Sequence, residues 1–316
     1  MMSINLMNDE KHYVTLNNYL RYKYHTKVAR ISLNAGLSCP NRDGKISHGG
    51  CIYCSSNLSG DFAGEKTKPF KDQFDDILNI MKLKWDTNTF IAYLQAGTNT
   101  YADIDKLRKI YTEILSINHN IKVLSIATRP DCINESIVEL LKEINESVEV
   151  WIELGLQTIH EETASLINRG YQLNTFEYAM NLLKNANIKV IVHIINGLPF
   201  ESKEMMIETV KYLNNYNLFG IKIHMLHIMK NTYLGNNLQK FKELGFNSLT
   251  LDEFIDITTT QLRYLNTNTI IHRLTGDAPK DLLIEPTWTL KKFVVLNEID
   301  KHMRKNKIYQ GDLCIK

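Results

Sequence analysis

The sequence has no long apolar run, and no stretch of it approaches the roughly 20 apolar residues that a bilayer-spanning helix needs. Its first residues carry no apolar core of signal-peptide type, because Asp9 and Glu10 interrupt them early. A dominant charge of either sign is also missing. Lys and Arg number 37 against 35 Asp and Glu, for a net charge of +2. No global field therefore draws the chain to nucleic acid, and any such surface must be a local patch. There is no glycine-rich dinucleotide fingerprint, no internal repeat and no low-complexity linker. These absences lead us to expect a cytoplasmic protein with no membrane partner. With 316 residues, 44% of them hydrophobic, it is large enough for a full core. Cysteine is scarce, at five residues, and an odd number excludes a fully paired disulfide framework. Three of the five crowd between Cys39 and Cys54. In a reducing compartment such crowding points to metal binding or catalysis.

From residue 28 onward, short β-rich runs alternate with longer amphipathic segments. The expected strands are Val28–Leu33, Phe90–Gln95, Lys122–Thr128, Glu149–Leu156, Lys189–Ile195 and Gly220–Leu226. Helical patterns lie between them at Phe74–Trp85, Lys106–Ile117, Glu135–Ile144, Thr175–Lys184 and Lys203–Tyr212. Such alternation implies βαβ units and a parallel sheet. Six strands without a Rossmann fingerprint suit a partial (β/α)6 barrel, an α/β fold, better than a doubly wound sheet. After Leu226 the rhythm changes. A helix near Leu251–Leu265, a short strand around Thr269–Leu274 and a last helix from Thr287 to Lys305 form a C-terminal α/β extension. The expected organisation is a basic-aromatic segment at 1–27, the barrel at 28–230 and the extension at 231–316.

The cysteines fall in a loop directly after the first strand, spaced C-x11-C-x2-C: Cys39, Cys51 and Cys54. Three thiolates can hold three irons of a cubane cluster and leave the fourth iron open for chemistry. Gly44, Gly49 and Gly50 let the backbone turn around a bulky core. A structural zinc site with His48 as fourth ligand is the alternative, although zinc loops usually pair two C-x2-C knuckles and here there is one. Polar groups recur at expected strand ends, where parallel β/α folds gather ligands. Arg129 and Asp131 end the third strand; His224 and His227 lie near the end of the sixth. These four can face a substrate. Lys222 shares the face of His224 at strand period 2, with an internal salt bridge as its structural role.

The run Cys39-Pro-Asn-Arg-Asp-Gly44, followed by Gly49-Gly-Cys-Ile-Tyr-Cys54, resembles the radical S-adenosylmethionine (SAM) superfamily. More specifically, it resembles a bacterial YhcC-like subfamily related to the catalytic subunit of Elongator. The likeness continues through Gln95–Tyr101, Ala127–Cys132, Glu153–Thr158, Ile167–Arg169, His193–Pro199, His272–Asp277 and Trp288. Most of that superfamily uses C-x3-C-x2-C, so the longer first gap is a departure shared with the subfamily. The resemblance implies a 4Fe–4S cluster on the three cysteines and SAM held across the strand ends. It places Gly97, Thr98 and Asn99 near the SAM ammonium, and Glu153 and Gln157 near the ribose. Arg169 would meet the SAM carboxylate, and Asn196 and Gly197 the adenine. SAM cleavage to a 5′-deoxyadenosyl radical follows, with an electron donor such as flavodoxin or ferredoxin as partner. Cys132 and Cys314 are too few for an auxiliary cluster. The substrate implied is tRNA, at a wobble-uridine C5 side chain, with a small metabolite or peptide as the alternative. Positive charge on Arg21, Lys23, Lys27 and Arg30, interleaved with tyrosines, and the lysines of the last helix would dock RNA near the barrel mouth.

Overall fold

The computed structural model describes residues 6–58, 60–83 and 85–314. The expected N-terminal segment therefore begins, and the expected extension ends, outside the described residues. All six expected strands form: β1 (Ala29–Leu33), β2 (Phe90–Leu94), β3 (Ile121–Thr128), β4 (Glu149–Gln157), β5 (Lys189–Asn196) and β6 (Gly220–Met225). They are rich in Val, Ile and Leu because a parallel sheet is covered on both faces. Residues of β2 are buried throughout. The connecting helices α1 (Leu16–Tyr24), α2 (Phe70–Lys82), α3 (Ile104–Ser116), α4 (Glu135–Ser147), α5 (Glu161–Leu166), α6 (Leu173–Asn185) and α7 (Lys203–Leu213) present apolar stripes to the sheet. Three of their starts are fixed by side-chain caps: Thr15 accepts from the Asn18 amide, Asn134 from the Ile137 amide and Ser202 from the Met205 amide.

The sheet is larger than six strands. After a two-residue β7 (Ile228–Met229) and α8 (Tyr233–Asn236), α9 (Leu238–Glu243) and α10 (Leu251–Tyr264), the chain returns as β8 (Ile270–Arg273). Expected as part of the extension, β8 instead pairs in parallel with β6, giving the order β1-β2-β3-β4-β5-β6-β8. The barrel sheet thus draws on residues from both sides of position 230. A three-helix excursion between β6 and β8 hides this strand from any simple βα rhythm. The short β9 (Leu283–Glu285) pairs with β7, and α11 (Lys292–Asn306) packs against α10.

Inside the barrel the side chains stack in layers. The lowest layer is apolar: Ile91, Val123, Trp151 and Ile191 pack with Leu20 and Val28, flanked by Leu16, Tyr19 and Tyr24. Helix α1 is therefore a plug in the N-terminal end of the barrel, opposite the cysteine loop. This corrects the expected RNA-docking role of the segment. Lys23 and Lys189 both pair with Glu149, the first residue of β4. Although burial would raise the Glu149 pKa, hydrogen bonds from Lys189, Lys23 and Trp151 hold it at about 2. Lys27 sits 4.9 Å from the Trp85 ring and donates to Asn17. Arg30 lies inside the barrel, 5.0 Å from the Tyr93 ring. Most of the segment's cations are thus consumed by local partners.

Two substitutions separate the plug from a solvated helix. Leu20→Ala should cost about 2–4 kcal/mol in urea denaturation, as for a core leucine. Tyr22→Ala, at a side chain half exposed to solvent, should change stability by no more than about 0.5 kcal/mol. Equal effects would show that α1 does not close the barrel.

Candidate active site

At the carboxyl ends of the strands lies a cavity of about 390 Å³. Cys39, Cys51 and Cys54 all line it. Their loop is held by a dense set of bonds. The Cys39 carbonyl accepts from the amides of Arg42 and Asp43, and the Cys51 carbonyl from the Cys54 amide. Asn41 donates to the Asn168 carbonyl at 2.6 Å and reaches the Cys51 sulfur at 3.6 Å. Arg42 donates to the Cys54 carbonyl. Gly49 and Gly50 adopt φ of +90° and +82°, a conformation that disfavours side chains. Burial raises the Cys51 thiol pKa, and the nearby Arg129 charge opposes it. Metal loading must therefore displace a proton there.

The donor set, three thiolates lining one cavity, suits a cluster. Among the described residues no three His, Cys, Asp or Glu side chains converge on one ion's position. His48 is exposed and does not line the cavity. Arg129 lies between the cysteines and Tyr171. Its guanidinium grips Asp131 at 2.9 and 2.8 Å and stacks 5.1 Å from the Tyr171 ring. Expected to face substrate, Arg129 instead places its charge by Cys39 and Cys51. Asp131 is not among the cavity-lining residues and acts by holding it.

The residues expected near SAM divide into two groups. Gly97, Thr98, Glu153, Gln157 and Arg169 line the cavity. Gly97 has φ +76°, and a Cβ there would clash with the Leu37 carbonyl, so the end of β2 can abut the cysteine loop only as glycine. Gln157 follows a register shift in β4 and has φ +71°, strain of the kind found at sites. Arg169 is 1% exposed. It donates to the carbonyls of Leu156, Thr158 and Tyr171, and its buried Nη2 makes no hydrogen bond but pairs with the half-exposed Glu161 carboxylate at 3.5 Å. A guanidinium that already meets a carboxylate at this range suits a carboxylate ligand in the same place. Asn99, Asn196 and Gly197 form the second group, away from the cavity. The Asn99 amide donates to the carbonyls of Leu94 and Ala127, tying β2 to β3. Asn196 exchanges two 2.8 Å bonds with Gln261 of α10. With Gly197 it lines a separate small depression beside Leu249 and Trp288.

The cavity floor is a polar layer. Glu153, 1% exposed, accepts from Lys222, from His193 at 2.9 Å and from Ser125 at 2.8 Å. Burial would raise the Glu153 pKa; the Lys222 charge and the His193 bond outweigh it and keep Glu153 ionised. Lys222 thus has the internal salt bridge, and it also contacts Tyr93. His224 and His227 line the cavity, with the His224 ring 5.3 Å from His193. Tyr53, Tyr93, Tyr171, His193 and Arg273 also line it and were not anticipated. Strand alternation carries the signal for Tyr93 and His193, two residues before Gln95 and Ile195.

The family model for the Radical SAM superfamily matches residues 42–213, and the Radical_SAM C-terminal domain matches 219–305. Cys51 and Cys54 lie inside the first match and Cys39 just before it. The uncharacterized protein YtqA of Bacillus subtilis is 44% identical over 96% of this chain and 93% of its own length. Protein YhcC of Escherichia coli is 32% identical over 92% of this chain and 91% of its own. A protein of Methanocaldococcus jannaschii named tRNA uridine(34) acetyltransferase is 24% identical, over 92% of this chain and 58% of its own. Among solved structures, the archaeal Methanocaldococcus infernus Elp3 superposes with a TM-score of 0.66 at 18% identity, covering 90% of this chain and 64% of that one. That last likeness shows the fold.

Two tests follow from the floor. Lys222→Met leaves the Glu153 charge buried without its main partner and should cost about 3–5 kcal/mol by urea denaturation; adding Glu153→Gln should recover much of the loss. An additive double variant would show that the pair is not coupled. Burial holds His193 and His227 at about 4, below the usual 6.5; the Lys222 charge adds to the effect at His193. The unfolded chain binds those protons first, so stability is intact above pH 6.5 and falls as pH drops toward 4. The loss approaches about 3 kcal/mol per group. His193→Gln should flatten that slope in melts between pH 6.5 and 4.5.

Proposed function

The chain belongs to the radical SAM superfamily, and from that premise we propose that it is a tRNA-modifying enzyme working on the C5 side chain of a wobble uridine. Members of the superfamily bind a 4Fe–4S cluster and SAM, and the cysteine wall and the buried Arg169 guanidinium fit both. When bound, the two supply one-electron cleavage of SAM and hydrogen-atom abstraction from the substrate. The chain's own residues do the rest. Cys39, Cys51 and Cys54 hold the cluster, with Arg129 offsetting negative charge on the thiolates. Thr98, Gln157 and Arg169 orient SAM along the strand ends, and the plugged barrel keeps water from the floor. Hydrogen-atom abstraction from a carboxymethyl-type group at uridine C5 is the step we assign. A reducing partner of flavodoxin or ferredoxin type supplies the electron.

One observation carries the choice of tRNA: the relation to the tRNA uridine(34) acetyltransferase runs over 92% of this chain. Only the substrate class is taken from that relative, of which the chain spans 58%. The surface offers support near the mouth. Phe62, which lines the cavity, is 54% exposed, and Phe293 at the start of α11 is 78% exposed. Beside Phe293, Lys292 bonds to Asp277 of the cavity wall at 2.8 Å. Exposed rings suit stacked bases. Of the two expected docking segments, the start of α11 is the one we retain.

Mass spectrometry of tRNA nucleosides from cells with and without the gene tests this directly. A C5-substituted wobble uridine should change in abundance, and identical profiles would overturn the assignment. Tightly linked is the cluster: anaerobic reconstitution should load about four irons per chain. Cys39→Ala, Cys51→Ala and Cys54→Ala should each lose it, while Cys132→Ala and Cys314→Ala should retain it.

A further inference from the structure

The segment His272–Asp277, at the end of the seventh barrel strand, has no part in the function described so far. Its Arg273 lines the cavity, and its Cα is the register partner of Lys222 on the neighbouring strand. The two cations differ in what neutralises them. Lys222 has Glu153, whose two oxygens are already occupied by Ser125, His193 and Lys222. Arg273 has only Asp277, at 3.5 Å, and that carboxylate lies closer to Lys292, at 2.8 Å. No hydrogen bond to the Arg273 guanidinium is present among the described residues. Its side chain is 32% exposed, and the exposure is into the cavity.

Pairing Glu153 with Lys222 and Asp277 with Lys292 leaves one positive charge on this part of the wall. Arg30 adds a second positive charge that reaches Glu153 and Lys222, but it lies off the cavity lining, so Arg273 is the guanidinium a ligand can meet. Its planar fork matches a carboxylate in two parallel bonds. The flanking groups are built to stay in place. A Cβ at Gly276 would stand 2.5 Å from His227 Cε1, so glycine lets that ring lie against the loop. His227 Nε2 is buried with no partner.

Resting on the function proposed above, we propose that Arg273, flanked by His224 and His227, anchors a carboxylate on the substrate side chain. The SAM carboxylate is not the occupant, because it must reach the cysteine wall, where Arg129 and Arg169 stand. Arg273 approaches from the opposite edge of the open sheet, on the last strand. The C-terminal extension thereby contributes the residue that selects the substrate's charge.

The experiment compares an acid with its neutral ester. The reconstituted protein, with SAM, is titrated with anticodon stem-loops carrying 5-carboxymethyluridine or its methyl ester at the wobble position. The two free nucleosides form a second arm. Wild-type protein should bind the acid about tenfold or more tightly than the ester. Arg273→Gln should bring that ratio close to one, and Arg273→Lys should keep part of it. No acid preference in either arm overturns the subsite, as does an unchanged ratio in Arg273→Gln. A loss of SAM affinity in Arg273→Gln with the ratio intact assigns Arg273 to the cofactor and also overturns it. Acid preference among the nucleosides without stem-loop binding upholds the subsite and removes the RNA assignment.

Discussion

The buried carboxylate of Glu153 is the constraint around which the barrel interior is arranged. It sits at the middle of β4 and takes bonds from β3 through Ser125, from β5 through His193 and from β6 through Lys222. An ion of this kind is costly to remove from water unless all its lone pairs are met. Meeting them fixes the relative register of four strands. It also fixes what lies above and below. Beneath it the layer must be dry, and Trp151, Ile91, Val123 and Ile191 with the α1 plug make it so. Above it the polar side chains that complete the network become the floor of the cavity.

That layering separates two electrostatic tasks within one cavity. The cysteine wall must carry thiolates, and Arg129 and Arg169 face it. Both guanidiniums are themselves fixed, one by the Asp131 fork and the other by three backbone carbonyls, and both stack on Tyr171. Neither needs to reorganise when charge develops near it, which is the condition under which fixed charges are most effective. The floor, by contrast, carries a neutralised ion pair, uncharged histidines and one lightly engaged arginine. A cavity whose opposite sides are prepared differently is suited to two ligands, a cofactor at the wall and a substrate at the floor.

Much of this was legible in the sequence. Six strands were placed from alternation and β-branched runs, and the cysteine loop from spacing alone. Strand period 2 put Lys222 and His224 on one face, and both line the cavity. Motif position was less informative, because a polar residue at a strand end can serve the backbone as readily as a ligand. Asn99 and Asn196 do the former: each sits in a site-like motif, yet the Asn99 Nδ2 and the whole Asn196 amide are engaged within the fold. The N-terminal segment misled for a related reason. Composition shows four cations among tyrosines but not that Lys23 will meet Glu149, 126 residues away. The seventh strand was expected at Thr269–Leu274, but its place in the barrel sheet escaped because the pairing with β6 spans three intervening helices, a separation that no local pattern records.

The position of that seventh strand depends on segments far from it in sequence. An edge strand of an open barrel leaves unpaired backbone groups, which invite slippage or foreign pairing. Here residues 12–15 cover part of it: the Val14 carbonyl accepts from the Ile271 amide at 2.8 Å, and Thr15 bridges Ile271 in parallel. Gln310, 2% exposed, then locks the arrangement. It donates through Nε2 to the carbonyls of Asn266 and Thr269, accepts from the Val14 amide and donates its own amide to the His12 carbonyl. One buried glutamine thus joins the approach to α1, the end of α11 and the start of β8. A guanidinium on such a strand is held at a set depth in the cavity even though its own head group is barely engaged. The lower layer closes the barrel and the edge clasp positions its last strand; both begin in the same short stretch before and within α1. The N-terminal segment therefore serves the site from beneath, by fixing the framework that presents it.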